Sequence, residues 1–302
     1  IICLLLGGYM KKIQITKNAL NELRCISSNE NALFQTESGD ILKILSPSYL
    51  STFYLFTGQS MEDKILNAKE ISNVPEIIVP KGAAYIGNNF VGYFMDCANG
   101  KSFVDYNKSL SITEQEDLYK FAEMYAAIEK PVREASDVVF PDLCTCDNIF
   151  IQSSQGGYDV QFIDYDGLQI GKYKSFCVST ALGDYSQVMR SKYINSDMSF
   201  KKELDIKSLI HLYFLTTFHM DLTKVGQFYP GTNNRVTLDD FFNCIHLDDW
   251  DIMDKVYKVM YGNSSNEYLG DDVFRIADTY RMHAYPVPNM PDRCIKVLEK
   301  KR

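Results

Sequence analysis

The sequence starts without an apolar run of membrane-spanning length. Ile1-Ile2-Cys3-Leu4-Leu5-Leu6 falls far short of the 18 or so residues that a span requires, and no basic segment precedes it, so no membrane anchor is expected. Met10-Lys11-Lys12 reads as a translation start, and residues 1–9 are expected to be upstream sequence without a function of their own. Regular cysteine spacing is also missing. The eight cysteines, Cys3, Cys25, Cys97, Cys144, Cys146, Cys177, Cys244 and Cys294, are scattered, which argues against a disulfide scaffold and for a reducing cytoplasm. Positive charge is in deficit. With 31 Lys+Arg against 39 Asp+Glu the formal charge is −8, which disfavours a broad surface for duplex nucleic acid or anionic lipid, while local positive pockets stay compatible. Cys144-Thr145-Cys146 has no second pair for a zinc site, and His211, His219, His246 and His283 form no metal or nucleophile motif. No repeat, low-complexity tract or long linker divides the chain.

What is present is a globular composition, 46% hydrophobic and 23% charged over 302 residues. A chain of this length buries roughly 75% of its extended surface and folds as one or two units. The 20 Tyr and 18 Phe have no basic residues interleaved among them and read as core and hinge packing rather than base-stacking platforms.

Periodicity changes near residue 96. Before it, Ala32–Thr36 and Ile41–Leu45 flank Ser38-Gly39-Asp40 as two strands joined by a tight turn. A helix is expected around Gln59 to Ile71, ended by Ser72-Asn73 and Pro75, followed by strands around Glu76–Val79 and Phe90–Met95. After Asn99-Gly100 the pattern is mainly helical. Thr113 and Glu116 form a capping box, and Leu118, Phe121, Ala122, Tyr125, Ala126 and Ile128 an apolar stripe. Asn148–Ile151 and Tyr158–Asp164, separated by Gln152–Gly157, read as a β-hairpin. From Asp205 the run through Leu215 is apolar on most faces, as in a buried helix. The acidic residues around Trp250, from Asp239 to Asp254, read as solvated helix faces and caps.

Several segments carry chemistry. Lys43 lies between Ile41-Leu42 and Ile44-Leu45, where alternation turns its neighbours inward; a solvent-facing strand lysine is the other reading. Glu62 shares a helical face with Ile65, Leu66 and Lys69, with Glu70 as its competitor. Phe140-Pro141-Asp142-Leu143-Cys144-Thr145-Cys146-Asp147-Asn148-Ile149-Phe150-Ile151 sets a carboxylate six positions before an amide. Phe162-Ile163-Asp164-Tyr165-Asp166-Gly167 delivers a carboxylate at the end of an apolar strand. It is not a calcium loop, because the position eleven after Asp164 is Ser175 where a bidentate Glu belongs. A turn or capping Asp is the remaining alternative.

Taken together, over roughly residues 25–220, these segments resemble the protein kinase-like family in a divergent, bacterial Ser/Thr kinase-like form. The resemblance implies an α+β, bilobal kinase-like fold: a small mixed β-sheet N-lobe with one main helix (residues 10–95) and a larger, mostly helical C-lobe (residues 96–302). It implies ATP and Mg²⁺ as cofactors, with adenine against Met95-Asp96-Cys97. Lys43 would contact the α- and β-phosphates and Glu62 would pair with it. Asn148 and Asp164 would hold Mg²⁺, Asp142 would take the proton of the attacking hydroxyl, and Asp205 would brace the catalytic loop. The implied activity is transfer of the γ-phosphoryl group to a Ser/Thr hydroxyl of a protein substrate; a small-molecule kinase shares this logic.

Departures are equally plain. Family loops place the aspartate five positions before the asparagine; in that register Leu143 would hold the base position and proton abstraction would be lost. Phe140-Pro141 replaces the usual His-Arg, which removes the arginine that reads an activation-loop phosphate. Residues 25–32 contain no glycine to let the backbone approach phosphates, and no Ala-Pro-Glu closes an activation segment. These features favour a pseudokinase, a nucleotide-binding or scaffolding module without transfer, as the second reading.

Overall fold

A computed structural model describes residues 11–28, 31–68, 74–110, 115–143, 147–176, 193–218, 222, 225–226, 233–244 and 249–260. The fold is mixed α+β, and the chain divides into two compact units. The first is Ile1–Asn99 with Gln161–Cys177, and the second is Gly100–Val160 with Val178–Arg302. The sequence division between residues 95 and 96 falls four residues short of this one and does not anticipate the return of 161–177 to the first unit. That return has a backbone cause. Phe162 donates its N–H to the Glu76 carbonyl at 2.8 Å and accepts from Ile78 N at 2.9 Å, so the segment is pinned beside residues 76–78. Among the described residues no helix is long and apolar enough to cross a membrane.

The first unit is built on a six-stranded sheet: β1 (Lys11–Gln14), β2 (Arg24–Ser28), β3 (Ala32–Gln35), β4 (Ile41–Ile44), β5 (Pro80–Ile86) and β6 (Asn89–Met95). Its order is β1-β5-β6-β4-β3-β2, with β1 parallel to β5 and the other neighbouring strands antiparallel. The hairpin expected at residues 32–45 is β3–β4, closed by Thr36 N donating to Asp40 O (2.9 Å) with Gly39 at φ 86. The strand expected at 76–79 is reduced to a single parallel bridge, Ile77 with Phe162, and the true strand begins at Pro80. Because β4 is flanked on both edges, its Ile41, Leu42 and Lys43 are all buried.

One main helix was expected between β4 and β5; the described residues hold two, α2 (Pro47–Thr57) and α3 (Met61–Leu66), preceded in the chain by the short α1 (Lys17–Glu22). The signals for α2 are local. Ser46 Oγ accepts from Tyr49 N, Pro47 occupies the first turn, and Gly58 caps the end in the left-handed conformation. Ser60 then caps α3 by accepting from Asp63 N. Met61, Lys64, Ile65 and Ala68 are buried at helical spacing, so this is the inward stripe, and Glu62 lies beside it. Burying side chains the size of Met61 and Ile65 contributes roughly 1.5–3 kcal/mol each.

In the second unit a three-stranded sheet has the order β10-β9-β7, from β7 (Lys101–Ser102), β9 (Ile149–Ser154) and β10 (Gly157–Phe162), the last running on into the first unit; β8 is Val138–Val139. The first hairpin strand runs three residues further than expected and the second starts one residue earlier and stops at Phe162, leaving only Gln155-Gly156 as the turn. The helices are α4 (Phe103–Asn107), α5 (Gln115–Glu134), α6 (Glu203–Phe218), α7 (Leu238–Cys244) and α8 (Trp250–Met260). On α5, Phe121, Tyr125 and Ile128 of the expected stripe are buried together with Met124 and Val132, whereas Ala126 is exposed, so the inward face includes Met124 rather than Ala126. Thr113 of the proposed capping box lies outside the described residues, as do Glu70, Cys144 and Cys146. Two polar pairings join α5 to α6 inside this unit. The Tyr213 hydroxyl donates to Glu129 at 2.8 Å, and the Tyr125 hydroxyl bonds Thr216 and Thr217. Thr237 caps α7 by accepting from Asp240 N, with the Asp240 carboxylate accepting in return from Thr237 N, and Asp249 caps α8 by accepting from Asp251 N and Ile252 N.

Candidate functional site

Strand β4 and the turn after Phe162 place three charged groups together in the first unit. Lys43 Nζ bonds Asp164 Oδ1 and, at 2.7 Å, Asp166 Oδ1. Its side chain is 8% exposed, that of Asp164 24% and that of Asp166 0%. The Tyr93 hydroxyl, directly opposite Lys43 on β6, donates to the same Asp166 oxygen at 2.5 Å. A buried ammonium is tolerable here only because two carboxylates face it.

The local backbone explains how the carboxylates arrive. Asp164 has φ 67, in the left-handed region that Asp tolerates better than most residues, and Tyr165–Gly167 follow as a single 3-10 turn. Gly167 N closes that turn onto Asp164 O at 2.8 Å. A Cβ at Gly167 would stand 2.6 Å from Asp164 Oδ2, so a side chain there would make the carboxylate shift. Beneath the turn, the fully buried Lys64 of α3 donates to the backbone carbonyls of Asp166 (2.8 Å), Leu168 and Lys174 (3.4 Å). Gln59 adds a second tie, giving its amide to Lys172 O and accepting from Lys174 N, both at 2.8 Å.

The electrostatics push the two carboxyls apart. Burial and the neighbouring Asp166 charge raise the pKa of Asp164, against the pull of Lys43. Burial would also raise Asp166, but the Lys43 ammonium and the hydrogen bonds from Lys43, Tyr93 and Tyr49 bring it below the ordinary carboxylate value. Burial opposes the charge on Lys43, and the two carboxylates outweigh it and raise its pKa. Tyr93 is raised well above its ordinary value by burial and by Asp166 and Asp164, so its hydroxyl remains a donor.

Glu62 does not meet Lys43. It accepts a hydrogen bond from the Tyr85 hydroxyl at 2.5 Å and pairs with Lys12 at 3.5 Å. The physical reason is the helical phase of α3, which turns Lys64 inward and Glu62 toward β5 and β1. Asp166, which sequence reasoning passed over, stands where a glutamate was expected; its signal was the second carboxylate of Asp164-Tyr165-Asp166-Gly167. Lys64 was also missed, although it falls three and four positions from buried Met61 and Ala68. Met95 ends β6, 4% exposed and paired with Ile41. Asp96 is exposed and pairs with Lys81, which also bonds Asp40 at 2.8 Å. Cys97 is an exposed free thiol. Asn99 N donates to Gln161 Oε1 at 2.7 Å, tying the end of this strand to the returning segment.

In the second unit, Asn148 Nδ2 donates to Asp142 Oδ2 at 3.3 Å, so a spacing of six still brings carboxylate and amide together. Leu143, the residue of the strict register, is 3% exposed and packed in the core. Asp205 Oδ1 accepts from Phe140 N at 2.7 Å, and Lys202 bonds Asp205 (2.6 Å) together with the carbonyls of Val132 and Val138 (both 2.8 Å). Asp205 thus fixes the backbone at Phe140. Among the described residues no three His, Cys, Asp or Glu side chains cluster as a metal site. No protein-family model matches the chain, and no curated protein matches it.

Proposed function

We propose that the chain is an ATP- and Mg²⁺-dependent phosphotransferase of bilobal, protein kinase-like fold, acting on a Ser/Thr hydroxyl of a protein. The observation that carries the reading is the buried pairing of Lys43 with Asp164: a strand lysine 121 positions earlier in the chain meets the carboxylate that follows a hairpin. Sheet order supports it, since β5-β6-β4-β3-β2 sets the lysine strand in the middle with both of its antiparallel neighbours. The donor set fits magnesium, which takes one or two protein oxygens and keeps phosphate and water for the rest. As the resemblance implies, Asp164 would offer one such hard oxygen and Asn148 another, and the ion would supply positive charge to offset that of the phosphates. Lys43 orients the phosphates. Asp142 accepts the hydroxyl proton as the hydroxyl oxygen bonds to the γ-phosphorus, and the bond from that phosphorus to the β–γ bridging oxygen breaks to release ADP.

The glycine-free segment at residues 25–32 supports a second reading, a nucleotide-binding module without transfer. One pair of measurements separates them. Mg·ATP is expected to raise the melting temperature, because a ligand bound to the folded state stabilises it by mass action. Radiolabel transfer to a protein acceptor is expected from the wild type, and Asp142→Asn is expected to lose roughly 10²–10⁴ in rate. A thermal shift without transfer selects the binding module. No shift at all ends both readings.

A further inference from the structure

We infer that Asp166 is the residue that positions Lys43, in place of a helix glutamate, and that it thereby leaves Asp164 available to a divalent cation. The inference rests on the phosphotransferase reading for what Lys43 and Asp164 bind, but the positioning itself stands on geometry. Two carboxylates meet one ammonium, and they differ in every other respect. Asp164 is the more exposed, 24% against 0%, and its side chain makes no capping hydrogen bond to the 3-10 turn it precedes. Asp166 has no exposed surface, and its Oδ1 holds both Lys43 and the Tyr93 hydroxyl. Its backbone carbonyl is fixed in turn by the Lys64 ammonium at 2.8 Å.

A group inside such a bonded frame cannot swing to a ligand without giving up its bonds to both Lys43 and the Tyr93 hydroxyl in the interior, which is costly. Asp164 can exchange its lysine for a metal ion, because Lys43 still keeps Asp166. The helix acid expected in this role, Glu62, is engaged by Tyr85 and Lys12 and has no part in the arrangement. Asp166 is therefore a positioning residue and Asp164 the one that contacts the cation.

The test reads Lys43 without any nucleotide. The folded protein is treated with an amine-reactive acetylating ester at one fixed pH, and modification of each lysine is followed by peptide mass spectrometry. Asp166→Asn is expected to speed acetylation of Lys43 about tenfold, since removing one partner of a buried pair is strongly destabilising to the other. Lys64, whose acceptors are backbone carbonyls, should remain protected and so report an intact fold. Glu62→Gln should leave the Lys43 rate at the wild-type value. An Asp166→Asn rate equal to wild type, or an equal rise in Glu62→Gln, overturns the inference. Should Lys64 become labelled in Asp166→Asn, Tyr93→Phe serves instead. That variant removes only the hydroxyl donor to Asp166, and it is expected to raise Lys43 labelling about threefold. A wild-type rate there also overturns the inference. Mg·ATP thermal shift on the wild type is the separate arm: its failure sinks the phosphotransferase reading and leaves the labelling result to stand on its own.

Discussion

Asp164 combines a left-handed backbone, a partly exposed carboxylate and a glycine three residues on, and each of these constrains the others. The left-handed residue turns the chain sharply after Phe162, the turn brings Asp166 beneath Lys43, and Gly167 gives the Asp164 carboxylate its space. Gly167 itself is not held at positive φ, so a side chain there is opposed by contact rather than by backbone strain. Gly167→Ala should therefore displace Asp164 Oδ2 specifically, at a cost of about 1–3 kcal/mol for overpacking. Urea denaturation should show that loss, and the Mg·ATP thermal shift should shrink with it. A variant that loses stability but keeps the full nucleotide shift would separate Gly167 from the placement of Asp164.

At the scale of elements, the lysine strand depends on a close approach that local sequence does not reveal. Gly92 of β6 sits opposite Ile44, and a Cβ on it would fall 1.9 Å from the Lys43 carbonyl oxygen, inside bonded backbone. Gly92→Ala must push β6 off β4, and a loss of about 3 kcal/mol or more is expected in chemical denaturation. A loss under about 1 kcal/mol would mean that the two strands can part without disturbing the sheet. The same elements show what was legible in advance. The β3–β4 hairpin and β6 declared themselves by alternation and turn residues, and α6 by its uninterrupted apolar run. Asp205 was recognisable from its place at the start of that run, and its bond to Phe140 N followed. The phase of α3 was not legible, because Glu62, Lys64 and Glu70 compete for the inward face and only packing against β5 and the 166–174 segment decides. Pairing of Lys43 with Asp166 is set by a turn conformation 121 to 123 residues away, beyond any periodicity in the sequence.

For the molecule as a whole, the two units carry buried acids whose responses to pH have opposite sign. Asp166 in the first unit has a lowered pKa, so its contribution is present above the ordinary value of 3.8 and is lost as the pH falls through the folded value. Asp205 in the second behaves the other way. Burial pushes it up to about 6, against the pull of Lys202 and the Phe140 amide, so the folded state holds a proton that the unfolded chain has released. Its contribution is full below the ordinary 3.8 and disappears as pH rises to about 6, an effect of ~3 kcal/mol. Asp205→Asn keeps an acceptor for Phe140 N and leaves Lys202 the carbonyls of Val132 and Val138, so the variant should fold. Other groups titrate in the same window, but they do so equally in both proteins. The stability difference between wild type and Asp205→Asn, taken from denaturation at a series of pH values, should therefore shift against the wild type as pH rises from about 4 to 6. Parallel curves across that range would show that Lys202 and the amide hold the Asp205 carboxylate ionised throughout, and that the brace beneath Phe140 does not respond to pH.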